Sequence, residues 1–221
     1  MRRHIVIGDI HGCIDETLDL LSKIDVTSDD VVVATGDLTR KGPAPDRCIE
    51  LFRDRRFLSV LGNNDVKMIE RARRPLRRVF ARHSDRVVLR RADLIDEIAR
   101  WPFLLEFSDA KIVVVHGGVM PDGSTPREAA LELRYIRRDG KAWRIVPKGK
   151  QQPGDRFWSE VWDGDRIVVY GHTPRREAKI DRAAIGIDTG CVYGGKLTAA
   201  LFEKPGKWTL VDVRARRAYS R

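Results

Sequence analysis

The chain has 221 residues, 42% hydrophobic and 33% charged, a composition that supports one substantial core and excludes wholesale disorder. No apolar run approaches the roughly 20 residues that cross a bilayer, and the stretch after Arg2 and Arg3 is too short for a signal peptide. Forty-two Lys and Arg against 32 Asp and Glu leave a net charge of +10, which favours polyanionic partners such as nucleotides, polyphosphate, phosphoproteins or nucleic acid. No membrane partner is expected, and oligomeric state is not encoded in any pattern here. Three cysteines, Cys13, Cys48 and Cys191, lack metal-site spacing and point to free thiols in a reducing, cytoplasmic setting.

In chain order, residues 3–7 predict a buried strand ending at Gly8-Asp9. Ile14, Leu18, Leu21 and Ile24 then carry helical spacing, and Val31-Val32-Val33-Ala34 is a second buried strand. Residues 43–52 predict a helix, 57–61 a strand, 66–80 an arginine-rich amphipathic helix and 92–100 another helix. The cluster from Arg71 to Arg78 is read as a solvated helix face, since no aromatic platform for single-stranded nucleic acid accompanies it. This alternation indicates an α/β architecture with parallel pairing.

The second half is richer in strands. Residues 103–107 and 111–115 flank Ser108-Asp109-Ala110 as a strand pair, and 126–136 predict a helix. Residues 138–156 read as a loop, with Trp143, Arg144, Lys148 and Lys150 either on a plain surface excursion or on a substrate rim. Strands follow at 167–170, 184–187, 197–202 and 208–213. Two sheets packed face to face and covered by helices are expected, in a single domain over 1–221, because no linker or repeat divides the chain.

Five short segments place Asp, Asn and His at strand ends: Gly8-Asp9-Ile10-His11-Gly12, Gly36-Asp37-Leu38-Thr39-Arg40-Lys41-Gly42, Gly62-Asn63-Asn64-Asp65, Val115-His116-Gly117-Gly118 and Gly171-His172-Thr173. Two divalent ions about 3.5–4 Å apart need a bridging carboxylate with oxygen and imidazole ligands. Asp37 is the natural bridge, with Asp9 and His11 on one ion and Asn63, His116 and His172 on the other. Such a ligand set suits Mn, with Fe, Zn, Co or Ni as alternatives, better than Mg or Ca.

The segments resemble the phosphoprotein phosphatase branch of the calcineurin-like metallophosphoesterases, through most of the chain from Ile5 to about Phe202. Ile187-Asp188-Thr189-Gly190-Cys191 followed by Gly194-Gly195-Lys196-Leu197 is typical of the bacterial members. Arg40 stands where the protein phosphatases have Asp, so the chain looks closer to symmetrical diadenosine-tetraphosphatase-like enzymes; Leu133-Arg134-Tyr135-Ile136 is similar to an arginine-aromatic element of that subgroup. The resemblance implies a four-layer α/β/β/α sandwich and attack on phosphorus by a metal-bridging hydroxide. It also implies Lys41 and Arg134 as phosphate clamps, with Asp188 orienting a metal ligand or water.

One position departs. After the ligand asparagine the family motif has a histidine, supported by the next acidic residue, that protonates the leaving group; here Asn64 stands there, with Asp65 retained. A carboxamide donates a hydrogen bond but transfers no proton near neutral pH, so a phosphoanhydride should suffer less than a phosphoserine. Asn64 is compatible with a substrate-trapping variant, with an enzyme of reduced activity, or with a non-catalytic phospholigand-binding pseudophosphatase. The expected function is a two-metal phosphohydrolase acting on a dinucleoside polyphosphate such as diadenosine tetraphosphate. The alternatives are a serine/threonine protein phosphatase and a phosphatase of RNA 5′ ends.

Overall fold

The computed structural model describes residues 2–74 and 81–221. The first half alternates strand and helix as the periodicity predicts. It runs β1 (His4–Ile7), α1 (Ile14–Ile24), β2 (Val31–Ala34), α2 (Pro45–Asp54), β3 (Leu58–Ser59), α3 (Asn63–Ala72), α4 (His83–Leu89) and α5 (Ala92–Ala99). The second half gives β4 (Leu104–Phe107), β5 (Ile112–Val115), α6 (Arg127–Glu132), β6 (Tyr135–Asp139), β7 (Ala142–Val146), β8 (Arg156–Phe157), β9 (Ile167–Tyr170), β10 (Lys179–Asp181), β11 (Ala184–Gly186), β12 (Lys196–Lys204) and β13 (Lys207–Arg214). Among the described residues, no helix is long and apolar enough to cross a membrane.

Two five-stranded sheets, in the orders β13-β12-β1-β2-β3 and β10-β11-β9-β5-β4, form the body of the fold. Their central strands, such as β1, β5 and β9, are apolar on both faces because each sheet is covered twice. Ile5 and Ile7 of β1, with Val32 and Ala34 of β2, face the core shared with the helices, while Val6 and Val33 point the other way. They meet Val114 of β5, Val169 of β9 and Phe202 of β12 in the layer between the sheets. On the far side Val113, Val115, Val168 and Tyr170 pack with Ala129, Ala130 and Trp158. The layers are therefore those of an α/β/β/α sandwich, though the last is thin: α6, a 3-10 turn at Trp158–Glu160, and a small sheet in the order β7-β6-β8.

That small sheet corrects two expectations. The helix expected over 126–136 ends at Glu132, and Tyr135 already belongs to a strand. Residues 138–156 are not a simple loop: Tyr135 pairs with Val146 and Asp139 with Ala142 in a hairpin whose turn uses Gly140 at φ 58. Alternation was hidden because the consecutive Arg137 and Arg138 put arginine on both faces of a sheet with little core of its own. The arginine-rich helix expected over 66–80 begins at Asn63 and is described to Ala72; residues 75–80 lie outside the described residues.

β1, β2 and β3 are mutually parallel, as are β5, β9 and β11. Each of the five motif segments follows the carboxyl end of one of these strands, so the two sheets present their loops on one edge. The loops after β1 and β2 are zipped together: His11 N–H donates to Asp37 C=O at 2.7 Å and Gly12 N–H to Leu38 C=O at 2.9 Å.

Candidate metal centre and active site

Asp9, Asp37 and His116 are buried, and one ligand atom of each lies within 4.8 Å of the others. The predicted neighbours close around them. Asp37 Oδ2 is 3.5 Å from His11 Nε2 and 3.6 Å from His116 Nε2, so a single carboxylate oxygen faces imidazoles from both sheets. His172 Nδ1 is 3.2 Å from His116 Nε2, and its backbone N–H donates to both oxygens of Asp9. Asn63 Oδ1 accepts from Asn64 Nδ2 at 2.9 Å, and that same nitrogen donates to Asp37 Oδ2 at 2.6 Å. All six predicted ligands thus come together.

The chain sets the imidazole tautomers. His11 Nδ1 is 3.1 Å from Thr39 O and His116 Nδ1 is 2.9 Å from Thr35 O. A carbonyl only accepts, so both Nδ1 atoms carry the proton and both Nε2 atoms keep the lone pair that a metal needs. Burial pushes His11 down to about 4 and lowers His116 and His172, which keeps the rings neutral. His172 Nε2 is buried without a hydrogen-bond partner.

The carboxylates need a cation more than the histidines do. Burial, then the charges of Asp188 and Asp37, raises Asp9 well above the usual range. Burial also lifts Asp188 to about 6. Burial alone would raise Asp37 too, but the imidazoles of His116 and His11 and the Asn64 hydrogen bond hold it low. Packing these acids together in low dielectric costs several kcal/mol unless a cation compensates, and a divalent ion reverses the local pKa order. The donor set therefore fits divalent metal.

Strain marks the same place. Among the described residues, eight non-glycine positions have positive φ, and five of them are His11, Asp37, Arg40, Lys41 and His172. Left-handed backbone costs such residues about 1–3 kcal/mol each and persists where the surroundings impose it. Close approach explains two of the motif glycines: a Cβ at Gly62 would lie 2.1 Å from Asp37 Oδ1, and one at Gly171 would lie 2.0 Å from Asp9 Oδ1.

The predicted clamps adjoin the centre. Lys41 Nζ is 2.9 Å from His11 Nε2 and 5.2 Å from the Tyr193 ring centroid. Arg134 lies between α6 and β6 rather than on a helix, half-buried, and Nη2 donates to His172 O at 3.3 Å. Together with Asn63, Lys67 and Lys148 it lines a cavity of about 310 Å³; Trp143, Arg144 and Lys150 are not part of that lining. Asp65 differs from its expected role. Its carboxylate accepts from Asp37 N–H, Thr39 N–H, Thr39 Oγ1 and Gly62 N–H, and no hydrogen bond joins it to the Asn64 side chain. Asp65 builds the loop.

Sequence reasoning missed what Asn64 touches. Its Oδ1 accepts from Arg40 Nη1 at 3.2 Å, and Arg40 in turn faces the buried Asp85, with Nε to Oδ2 at 3.7 Å. The departure at Arg40 was visible, but its partner 24 residues on was not.

The parallel strand ends, paired sheets and convergent Asp–His set define a class. The chain belongs to the calcineurin-like phosphoesterase family, whose model it matches over residues 2–213, and is a metal-dependent phosphohydrolase. Among individual proteins, it is 31% identical to the bis(5'-nucleosyl)-tetraphosphatase PrpE [asymmetrical] of Halalkalibacterium halodurans, over 89% of each chain. The crystal structure of a proposed diadenosine tetraphosphatase superposes with a TM-score of 0.83 at 29% identity, covering 97% of this chain and 94% of that one. A Saccharomyces cerevisiae serine/threonine phosphatase shares the fold alone, with a TM-score of 0.56 at 13% identity over 97% of this chain and 79% of that one.

Proposed function

We propose that the chain hydrolyses a dinucleoside polyphosphate, with two divalent ions held by Asp9, His11, Asp37, Asn63, His116 and His172. The observation that carries this reading is the position of Asp37 Oδ2 between His11 Nε2 and His116 Nε2, at 3.5 and 3.6 Å. Bound there, the ions would polarise phosphoryl oxygens and acidify the attacking water; manganese is the first choice for such an imidazole and carboxylate set.

The chain's own groups do the rest. Lys41 and Arg134 hold phosphoryl oxygens, Lys41 as a point charge and Arg134 as a fork. Asn64 donates no proton to the leaving group. Arg40, bonded to the Asn64 carboxamide, places a fixed positive charge beside it, which favours a leaving group that departs as a weakly basic phosphate. A phosphoanhydride meets that condition and a serine alkoxide does not. The names of the relatives specify asymmetrical cleavage, whereas the motifs pointed to the symmetrical group. The relatives' reaction carried to this chain gives ATP and AMP from diadenosine tetraphosphate.

The test is manganese-dependent hydrolysis of diadenosine tetraphosphate with the products identified. ATP and AMP support the proposal; two ADP keep the substrate and move the cleavage point. No turnover by a metal-loaded chain and by its Asn64→His variant overturns it, leaving phosphopeptide hydrolysis and non-catalytic binding as the readings to test.

A further inference from the structure

A second group of donors lies behind the first. Cys13 follows His11 by two residues, Cys191 follows Asp188 by three, and Glu16 is in the first turn of α1. All three are buried, and a ligand atom from each lies within 4.8 Å of the others. Glu16 Oε1 accepts from Arg216 N–H at 2.9 Å and from Tyr219 O–H at 2.7 Å, which fixes the carboxyl group in place. Its second oxygen is different. Glu16 is 1% exposed, and Oε2 is buried with no hydrogen-bond partner.

An acceptor with its full lone pairs, buried beside two thiols and held by two donors on its other oxygen, is expensive unless something positive meets it. We infer that Cys13, Glu16 and Cys191 bind a thiophilic divalent ion, with zinc as the reference. A tetrahedral zinc ion with two sulfurs at about 2.3 Å and one oxygen at about 2.0–2.2 Å needs donors separated by about 3.5–3.8 Å. The cluster meets that by closing through at most about an ångström. Binding releases the two thiol protons to solvent, leaving two thiolates, one carboxylate and a fourth position for water. The ion would tie the loop bearing His11 to the loop bearing Asp188, from beneath. This inference rests on the fold and stands apart from the substrate proposed above.

The experiment uses the full-length chain, reduced and stripped of metal, in a background carrying Asp37→Asn and His116→Ala to disable the first centre. Cobalt is added as the probe. The expected result is one equivalent bound with thiolate-to-cobalt charge-transfer absorption in the near ultraviolet. That absorption should be lost when Cys13→Ser and Cys191→Ser are added and weakened by Glu16→Gln. The unmutated chain supplies a readout that no misfolded variant can spoil: all three cysteines are buried, and zinc should slow the alkylation of Cys13 and Cys191, read by mass spectrometry, more than that of Cys48. Absence of the charge-transfer band, or an equal effect of zinc on the alkylation rates of all three cysteines, would overturn the inference.

Discussion

Asn64 holds both oxygens of Asp37: its backbone N–H reaches Oδ1 at 2.7 Å and its side-chain nitrogen reaches Oδ2 at 2.6 Å. The backbone bond comes from the first turn of α3, where unpaired N–H groups favour an anion. It survives any substitution at 64 except proline. The side-chain bond does not, so position 64 can be changed without removing the helix terminus from beneath Asp37.

Asn64→His should therefore add a proton donor to an otherwise intact site. The gain expected is about 10²–10⁴-fold for an alkyl phosphate or phosphoserine peptide, and clearly less for diadenosine tetraphosphate. Parallel kcat measurements on both substrates check this. Equal gains would show that proton donation is not what Asn64 lacks.

Asp65→Asn should damage the fold before the chemistry. The carboxylate takes four donors from three residues of two loops; a carboxamide offers one oxygen and turns an NH₂ group toward the rest. Burial and the neighbouring Asp37 raise Asp65 to about 7, so those donors work against a real desolvation cost. A loss of about 2–4 kcal/mol is expected, read as a lower denaturation midpoint. A variant with unchanged stability and lost activity would return Asp65 to the catalytic role expected from its motif.

Gly171→Ala tests the close approach beneath Asp9. The added Cβ would lie 2.0 Å from Asp9 Oδ1 and 2.6 Å from Thr35 Oγ1, and both belong to the bond that orients the carboxylate. Metal affinity should fall about 10- to 100-fold, the range for disturbing a group that orients a ligand. Calorimetric titration with manganese measures it directly.

Metal should also stabilise the fold, since the buried acids repel one another without it. At 100-fold excess over its dissociation constant, an ion that binds only the folded chain adds about 2.7 kcal/mol per site. The midpoint of thermal unfolding should rise with manganese in the native chain, and much less in Asp37→Asn. A full rise in that variant would place the binding elsewhere.

Far from the site, Asp30 gives a pH test. Arg3 donates Nε to Oδ1 at 2.8 Å and Nη2 to Oδ2 at 2.6 Å, and this bond first, against the cost of burial, lowers the Asp30 pKa. A depressed folded pKa contributes stability above the unfolded value, about 3.9, and loses it as pH falls through the folded one. Asp30→Asn should cost about 1 kcal/mol at neutral pH, and the difference from the native chain should vanish in acid. Urea unfolding at several pH values resolves the trend.

The sequence by itself determined the five Asp, Asn and His segments and the strands that carry them. Asp9, Asp37, Asn63, His116 and His172 each stand just past an apolar run, and a strand end is a local feature whose alternation is written in consecutive residues such as Val31 to Ala34. It did not show that Tyr135 pairs with Val146, that Asp65 reaches Thr39, that Arg40 meets Asn64, or that Cys13 and Cys191 lie against Glu16. Those contacts join residues far apart in the chain, across loops whose course depends on how two sheets stack. Polar side chains also carry no periodicity that reveals their partner. Strand order and sheet packing decide which of them meet, because only the closed tertiary structure spends the entropy that holds distant loops within hydrogen-bonding distance.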